Sequence, residues 1–256
     1  MHLFYRLLLA HIIADFPLQT NIVFNLKAYK KWGVMLHSSI VLLLSLILSI
    51  EYLVQIKVVI IIITIFITHT IIDKFKIKIT KKYKNHDLFF FIIDQLLHIL
   101  IIFILTFNLT QKYSFVPKTG FRLLNTLIEI YNNDIFILCL IGYFTSVYVI
   151  PILLTFVRDT KNQDNIKLTE QKTNRRYNIT SNELIDKVYR LLLTIGTQFI
   201  SEYYILVIFI CFVLLNIIPF DINKNSMGHL FNLKRILNTS LAIFVGILLK
   251  FVYSPT

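Results

Sequence analysis

The amino-acid sequence predicts an all-α bundle of transmembrane helices. Of its 256 residues, 56% are hydrophobic and only 16% are charged, whereas ordinary soluble domains carry about 25% charged residues. The mean hydropathy is +0.71, and the apolar residues are gathered into runs of the length that a bilayer requires, about 20 residues. A water-soluble core could not enclose so much apolar surface. We therefore expect a polytopic membrane protein with about seven spans and one or two interfacial helices.

Seven apolar segments are candidate spans. Their approximate bounds are 3–22, 35–54, 57–75, 88–108, 134–157, 202–220 and 237–254. Pro17 interrupts the first segment and is expected to kink it, because proline removes a backbone donor. Residues 112–132 predict a loop with one interfacial helix, and residues 184–200 predict another. The N-terminal segment is interpreted as a retained helix, not a signal peptide, because its apolar stretch is short and contains His11 and Asp15.

Positive charge predicts the orientation of the chain. Basic residues concentrate in the connections after the first, third and fifth spans. They are Lys27, Lys30 and Lys31; Lys74, Lys76, Lys78, Lys81, Lys82 and Lys84; and Arg158, Lys161, Lys167, Lys172, Arg175 and Arg176. Since such connections stay in the cytoplasm, we expect the N-terminus outside. The net charge of +12 then reflects this bias and contact with anionic lipid headgroups, and nucleic acid is not an expected partner.

Three Asp–His pairs, each spaced four residues apart, lie within or at the ends of these apolar segments. They are His11/Asp15, His69/Asp73 and Asp94/His98, and His37 begins a further apolar run. A four-residue step returns to the same face of a helix, so each pair points one way. Three ionised carboxylates at helix centres would together cost about 7–10 kcal/mol. The predicted orientation brings all these groups to one depth near the cytoplasmic leaflet, which indicates a single site.

Imidazole and carboxylate groups gathered at one point are typical of a metal site. The candidate ligands are His11, Asp15, His37, His69, Asp73, Asp94 and His98. Mixed nitrogen and oxygen donors suit Zn, Mn or Fe better than Ca, which prefers oxygen alone. Side chains that orient such ligands are predicted at Gln19, Gln95, Ser38 and Thr70. The same groups would also suit a metal-free proton or ion path, or a structural network of hydrogen bonds between helices.

Four stretches within the first 110 residues carry a family resemblance. They are LLLAHIIADFPLQT, the lysine-rich segment that leads to His37, THTIIDKFK and IIDQLLH. In these motifs the chain resembles bacterial inner-membrane proteins catalogued as domain of unknown function 3307. The second half departs from the family, since IDKVYRLLL keeps Arg190 but has Tyr189 in place of an acidic residue. The resemblance implies a multi-pass protein of the bacterial inner membrane and brings no established activity or cofactor.

The chain is expected to divide into two regions. Residues 1–110 would form a four-helix transmembrane core that carries the His/Asp cluster. Residues 111–256 would add further transmembrane helices and a basic cytoplasmic loop at about 158–183. Within that loop, residues 158–178 are a candidate docking surface for a protein partner.

The leading functional hypothesis is a metal-dependent membrane hydrolase that acts on a lipid-linked or amphipathic substrate. In this hypothesis a carboxylate, Asp15 or Asp94, acts as general base toward metal-activated water. One alternative is an ion or metal transporter that uses the same residues as a transit site. Another is a non-enzymatic membrane component or anchor of a larger system.

Overall fold

The computed structural model describes residues 2–83, 86–107, 122–161, 181–199 and 227–253, which are predominantly α-helical and contain no strand. The α-helices are α1 (His2–Asp15), α2 (Asn21–Tyr29), α3 (Gly33–Leu48), α4 (Ile56–Lys82), α5 (Asp87–Phe107), α6 (Arg122–Asn132), α7 (Asp134–Phe144), α8 (Ile150–Lys161), α9 (Ser181–Phe199) and α10 (Met227–Tyr253). A 3₁₀ turn, Ile50–Tyr52, precedes α4, and a π-helical turn, Thr145–Val149, joins α7 to α8. The predicted all-α fold class is confirmed.

Three helical stretches among the described residues are long and apolar enough to cross a membrane. They are α4, α5 and the continuous run Asp134–Val157, in the places where spans 57–75, 88–108 and 134–157 were expected. Two shorter apolar helices, α3 and Leu237–Val252 within α10, correspond to two further expected spans. The expected span 202–220 lies outside the described residues, as does most of the basic loop.

The expected first span, 3–22, is replaced by two shorter helices. α1 ends at Asp15, and after a turn that contains Pro17 the chain enters α2 at Asn21. The expected kink in a continuous helix is therefore wrong: the helix ends before the proline. Proline has no N–H to donate, and it disfavours helical geometry at the residue before it. The hydroxyl of Thr20 then caps α2 by accepting a backbone N–H at 3.4 Å.

The described residues form two compact units. The first contains α1 to α6, the part of α7 up to Ile141 and the end of α8 from Phe156, and the second contains the segment between them with α9 and α10. In the first unit α3 packs against α1, α2 and α4, while α5 packs against α1 and α4. The described helices of the predicted core, 1–110, all lie in this unit.

The face of α4 that is buried in the first unit changes from apolar to polar along its length. This face consists of Val58, Ile62, Ile65, His69 and Asp73, whereas Ile56, Ile60, Ile63, Ile67 and Ile71 are exposed on the opposite face. Helix α5 buries Phe91, Asp94, His98, Ile102 and Thr106. The apolar core joins these helices to α1 and the 3₁₀ turn, through Leu3, Leu7, Tyr52, Val58, Ile62, Ile65 and Ile102. Exposed isoleucines with polar groups inside are what a lipid environment requires.

In the second unit, α9 and α10 contact each other closely, and both contact the π-helical turn. A Cβ atom at Gly246 of α10 would lie 1.8 Å from the hydroxyl oxygen of Thr197 in α9, so glycine allows this approach. Ser146 in the π-helical turn lies within hydrogen-bond distance of Thr194, at 2.7 Å. Helix α9, which was expected at the membrane interface near 184–200, buries Thr194 and Thr197 in these contacts.

Candidate metal centre

All seven side chains predicted as metal ligands are buried at one place in the first unit. They come from α1, α3, α4 and α5, and none exposes more than 5% of its surface. The helical step of four residues fixes each pair on one face, and the packing of four helices turns those faces toward one another. They are His11, Asp15, His37, His69, Asp73, Asp94 and His98. The convergence expected from spacing and orientation is present.

Asp15 lies at the centre of the cluster. Its Oδ1 atom is 3.1 Å from His37 Nε2, within hydrogen-bond distance. The same oxygen is 3.6 Å from His69 Nε2 and 3.8 Å from His11 Nδ1. One carboxylate oxygen of α1 thus faces imidazoles from α1, α3 and α4, because α1 ends at this residue and places its side chain between the other helices.

The facing stripes of α4 and α5 supply the other half of the cluster. His69 Nε2 lies 3.4 Å from Asp73 Oδ2, and His98 Nε2 lies 3.5 Å from Asp94 Oδ1. Between the two helices, His98 Nε2 is 4.0 Å from Asp73 Oδ1, and the rings of His69 and His98 stack with centroids 4.1 Å apart. None of these nitrogen–oxygen pairs forms a hydrogen bond in the described structure, so the groups are adjacent without bonding one another.

Three overlapping triads could hold a metal ion. In each triad, one ligand atom per residue lies within 4.8 Å of the others. The triads are His11/Asp15/His69, His37/His69/Asp73 and Asp15/Asp94/His98. Every triad combines imidazole nitrogens with carboxylate oxygens. This mixed set of donors suits Zn, Mn or Fe.

Several ligand atoms in the cluster are buried without a hydrogen-bond partner in the described structure. Five of them belong to the facing stripes of α4 and α5. One of the five, Asp73 Oδ2, has Lys27 Nζ at 2.7 Å as an ionic partner, which leaves four unpaired atoms: His69 Nε2, Asp73 Oδ1, Asp94 Oδ1 and His98 Nε2. Native proteins rarely leave buried polar groups unpaired, because each costs about 1–3 kcal/mol. A cation between these atoms would provide the partner that they lack.

Gln95 is placed as the sequence predicted for a residue that orients ligands. Its amide nitrogen donates to Asp15 Oδ2 at 3.2 Å and to Asp94 Oδ2 at 3.1 Å. Its amide oxygen lies 3.3 Å from His11 Nε2. A single side chain of α5 therefore connects three of the candidate ligands and fixes the directions in which their remaining atoms point.

The other three predicted supporting residues make no hydrogen bond to the cluster in the described structure. The hydroxyl of Ser38 donates to the carbonyl of Val34 at 3.0 Å, and Thr70 donates to Phe66 at 2.8 Å. Both are bonds within their own helices. Gln19 lies in the turn between α1 and α2, half-buried, and the described structure gives it no hydrogen bond to the cluster.

Two lysines complete the cluster, and sequence reasoning missed both because it assigned them only to topology. Lys27 Nζ of α2 lies 2.7 Å from Asp73 Oδ2, and Lys76 Nζ of α4 lies 2.5 Å from Asp94 Oδ2. Burial disfavours the charged form of Lys27, but the carboxylates of Asp73, Asp15 and Asp94 outweigh it and raise the pKa of its ammonium above the ordinary value.

A local signal could have found one of these lysines. Lys76 follows His69 by seven residues and Asp73 by three, so all three share one helix face. Lys27 gave no such signal, because its burial depends on the separate helix α2 folding back against α3.

The N-terminal part of the chain also matches a known protein family. Residues 3–121 match the family model described as "Protein of unknown function (DUF3307)". We refer to residues 3–121 as the DUF3307 segment. The resemblance inferred from the four motifs is confirmed, and the DUF3307 segment contains all seven candidate ligands, Gln95 and both lysines. No curated protein and no solved structure matches the chain.

Proposed function

We propose that the DUF3307 segment forms a membrane-embedded, metal-dependent hydrolase that acts on an amphipathic or lipid-linked substrate. The observation that carries this proposal is the set of four unpaired, buried ligand atoms on α4 and α5. A purely structural network would pair such atoms, because unpaired groups in an apolar interior destabilise the fold. A bound divalent ion would use them all.

The most favoured ligands are His69, His98 and one oxygen each of Asp73 and Asp94. His98 Nε2 lies 4.0 Å from Asp73 Oδ1 and 3.5 Å from Asp94 Oδ1, and none of the four atoms has a hydrogen-bond partner in the described residues. A catalytic zinc site keeps one position for water or substrate and sometimes expands to five ligands, so an ion held by three or four of these residues would leave room for either. When bound, the ion would lower the pKa of water toward neutrality and polarise the substrate.

Asp15 is the favoured general base. Its carboxylate is adjacent to the proposed ligands, but it is held by other groups: the Gln95 amide on Oδ2 and the His37 imidazole on Oδ1. A base must lie within hydrogen-bond reach of the proton that it removes, and Asp15 Oδ1 is 3.6 Å from the ligand atom of His69. Asp94, the second catalytic candidate from sequence, is better suited to ligation, because its Oδ1 is unpaired.

Transport is the less favoured function. Next to the cluster, the space between the helices is filled by the apolar core, in which Leu7, Ile62, Ile65 and Ile102 are buried. A transit path would need polar groups along that direction. We therefore expect proteoliposomes to show no zinc or manganese flux above that of a His69→Ala/Asp94→Asn double variant. Flux that depends on these residues would replace the enzyme proposal with the transporter.

The enzyme proposal is tested by lipid turnover. Protein loaded with zinc or manganese is incubated with a bacterial lipid extract, and the products are analysed by mass spectrometry. We expect turnover by the wild type, a loss of at least about 100-fold in Asp15→Asn, and normal turnover in the control Ser38→Ala. The proposal is overturned if fully metal-loaded wild type releases no product, or if Asp15→Asn retains full activity.

The predicted setting of this activity is the bacterial inner membrane, with the site near the cytoplasmic leaflet. It is supported by the lysines of α4 beyond Asp73, which lie at the same end of the helix as the cluster. Basic residues at that end suit the cytoplasmic headgroup region.

A further inference from the structure

We propose that the substrate of this site carries a phosphate group, and that Lys27 and Lys76 bind that group beside the metal. This inference rests on the proposed function and names its substrate class. Lys27 and Lys76 approach the cluster from different helices, α2 and α4. Each pairs with the Oδ2 atom of one aspartate, while the Oδ1 atom of that aspartate stays unpaired. The carboxylates thus have one oxygen for an ammonium and one for an ion.

The charge of the cluster favours an anionic ligand. Its three carboxylates and two ammonium groups leave one net negative charge when the four imidazoles are neutral, as metal ligation requires. A divalent ion reverses this to one net positive charge. An uncompensated charge is costly in a membrane interior, so the metal-loaded site would favour an anionic ligand.

The number of cationic centres favours phosphate over carboxylate. A loaded site would contain three of them: the metal ion and two ammonium groups. A carboxylate has two oxygens, whereas a phosphate ester has three or more oxygens available and carries up to two negative charges. Lysine and metal ions together are a recurring combination for holding phosphoryl groups.

The exposure of the cluster indicates where this phosphate arrives. The side chain of Lys76 is 26% exposed, whereas Lys27 is 8% exposed and the candidate ligands are more deeply buried. Lys76 also lies over the ring of Phe91, with its Nζ atom 5.6 Å from the ring centroid. Lys78, Lys81 and Lys82 are exposed at the same end of α4. Of the two lysines in the cluster, Lys76 is therefore the one that an incoming anion can reach from the surface.

Phosphate binding by zinc-loaded protein tests this proposal. The protein is purified in an alkyl maltoside, which contains no phosphate, and its zinc content is measured. Calorimetry then follows titration with inorganic phosphate and, in a second arm, with a short-chain phosphatidic acid. We expect saturable binding only in the zinc-loaded protein, weakened at least tenfold in Lys76→Met and in Lys27→Met. Lys78→Met, an exposed lysine on the same helix, should bind as the wild type does, and Lys27→Arg should recover most of the binding.

The two arms of the experiment distinguish a lipid phosphate from a free phosphate compound. Phosphatidic acid binding at least tenfold tighter than inorganic phosphate indicates a lipid source, and equal affinities indicate a free phosphate compound. The proposal is overturned if zinc-loaded protein binds neither probe, or if both lysine variants bind them unchanged. It is also overturned if Lys76→Met loses its zinc along with its phosphate, because the lysine then maintains the metal site only. A wild type that takes up no zinc contradicts the proposed function itself.

Discussion

The first unit contains two buried polar clusters, and they differ in how completely their groups are paired. In one, the guanidinium of Arg6, which is 1% exposed, donates through Nη1 to the carbonyl of His2 and to Asp134, and through Nη2 to the carbonyl of Tyr131. Arg6 also lies over the rings of Tyr52 and Tyr131, with centroid distances of 5.4 and 5.0 Å.

The partners of Arg6 are themselves engaged. Asp134 pairs with His2 as well, and the hydroxyl of Tyr131 donates to the carbonyl of Leu48 at 2.8 Å. This cluster joins α1 to the α6–α7 connection and to the end of α3, and only the Nε atom of Arg6 lacks a partner among the groups described.

The His/Asp cluster has the opposite character. Four ligand atoms that face one another have no hydrogen-bond partner, although they are as deeply buried as Arg6. A polar group whose partners come from the protein contributes to the fold, whereas neighbouring unpaired groups in a buried cluster are suited to binding an ion. This difference leads to separate predictions for the two clusters.

Loss of Arg6 should have the largest effect on stability. Arg6→Ala removes the guanidinium that donates to Asp134 and to two carbonyl groups, and removing one member of a buried pair costs about 3 kcal/mol or more. Thermal unfolding in detergent should show a lower midpoint for this variant, while its metal content per folded chain stays at the wild-type level. An unchanged midpoint would mean that the two clusters do not differ as described.

Metal should stabilise the wild type through the His/Asp cluster. At a free zinc concentration of 100 times Kd, linkage predicts a gain of about 2.7 kcal/mol in the free energy of unfolding. The same unfolding assay should show this gain in the wild type and in Arg6→Ala, and none in His69→Ala/Asp94→Asn. Equal stabilisation of the double variant would show that zinc binds elsewhere.

Replacing Gln95 should weaken metal binding without abolishing it. The Gln95→Leu variant removes the amide that orients Asp15 and Asp94, and such supporting groups contribute about 10–100-fold to metal affinity. Competition with a chromophoric zinc chelator measures this change. A wild-type affinity in Gln95→Leu would indicate that its bonds are incidental to the site.

Ser38 and Thr70 should matter least. Each hydroxyl donates only to a carbonyl of its own helix, where that carbonyl already serves the helical ladder. We expect Ser38→Ala and Thr70→Ala to change the free energy of unfolding by less than about 0.5 kcal/mol and to leave chelator competition unaltered. A tenfold loss of zinc affinity in either variant would show that the substituted residue supports the metal site.

Local periodicity was enough to predict most of the candidate site. The four-residue steps in α1, α4 and α5 placed His and Asp side chains on common faces, and the charge of the connections aligned those faces at one end of the bundle. The seven residues that meet in the structure are the seven that this reasoning selected. The helical repeat could select them because it depends only on residues near in sequence, whereas the orientation inferred from the charge bias stays a prediction.

The missed features depend on contacts between distant parts of the chain. Arg6 and Asp134 are 128 residues apart, and no local pattern pairs them. The burial of Lys27 follows from the break at Pro17, which was expected to kink one long helix but ends it and releases α2. Lys76 had a local signal, but the run of lysines around it indicated topology so strongly that its position on the polar face was overlooked.

The zinc content of purified protein tests the central claim most directly. Wild type, Arg6→Ala and His69→Ala/Asp94→Asn are loaded with zinc, freed of excess metal by gel filtration and analysed by plasma mass spectrometry. We expect about one ion per chain in the wild type and in folded Arg6→Ala, and less than about one tenth of that in the double variant. A wild type that retains no ion, or a double variant that retains as much as the wild type, would contradict the assignment of the His/Asp cluster as a metal site.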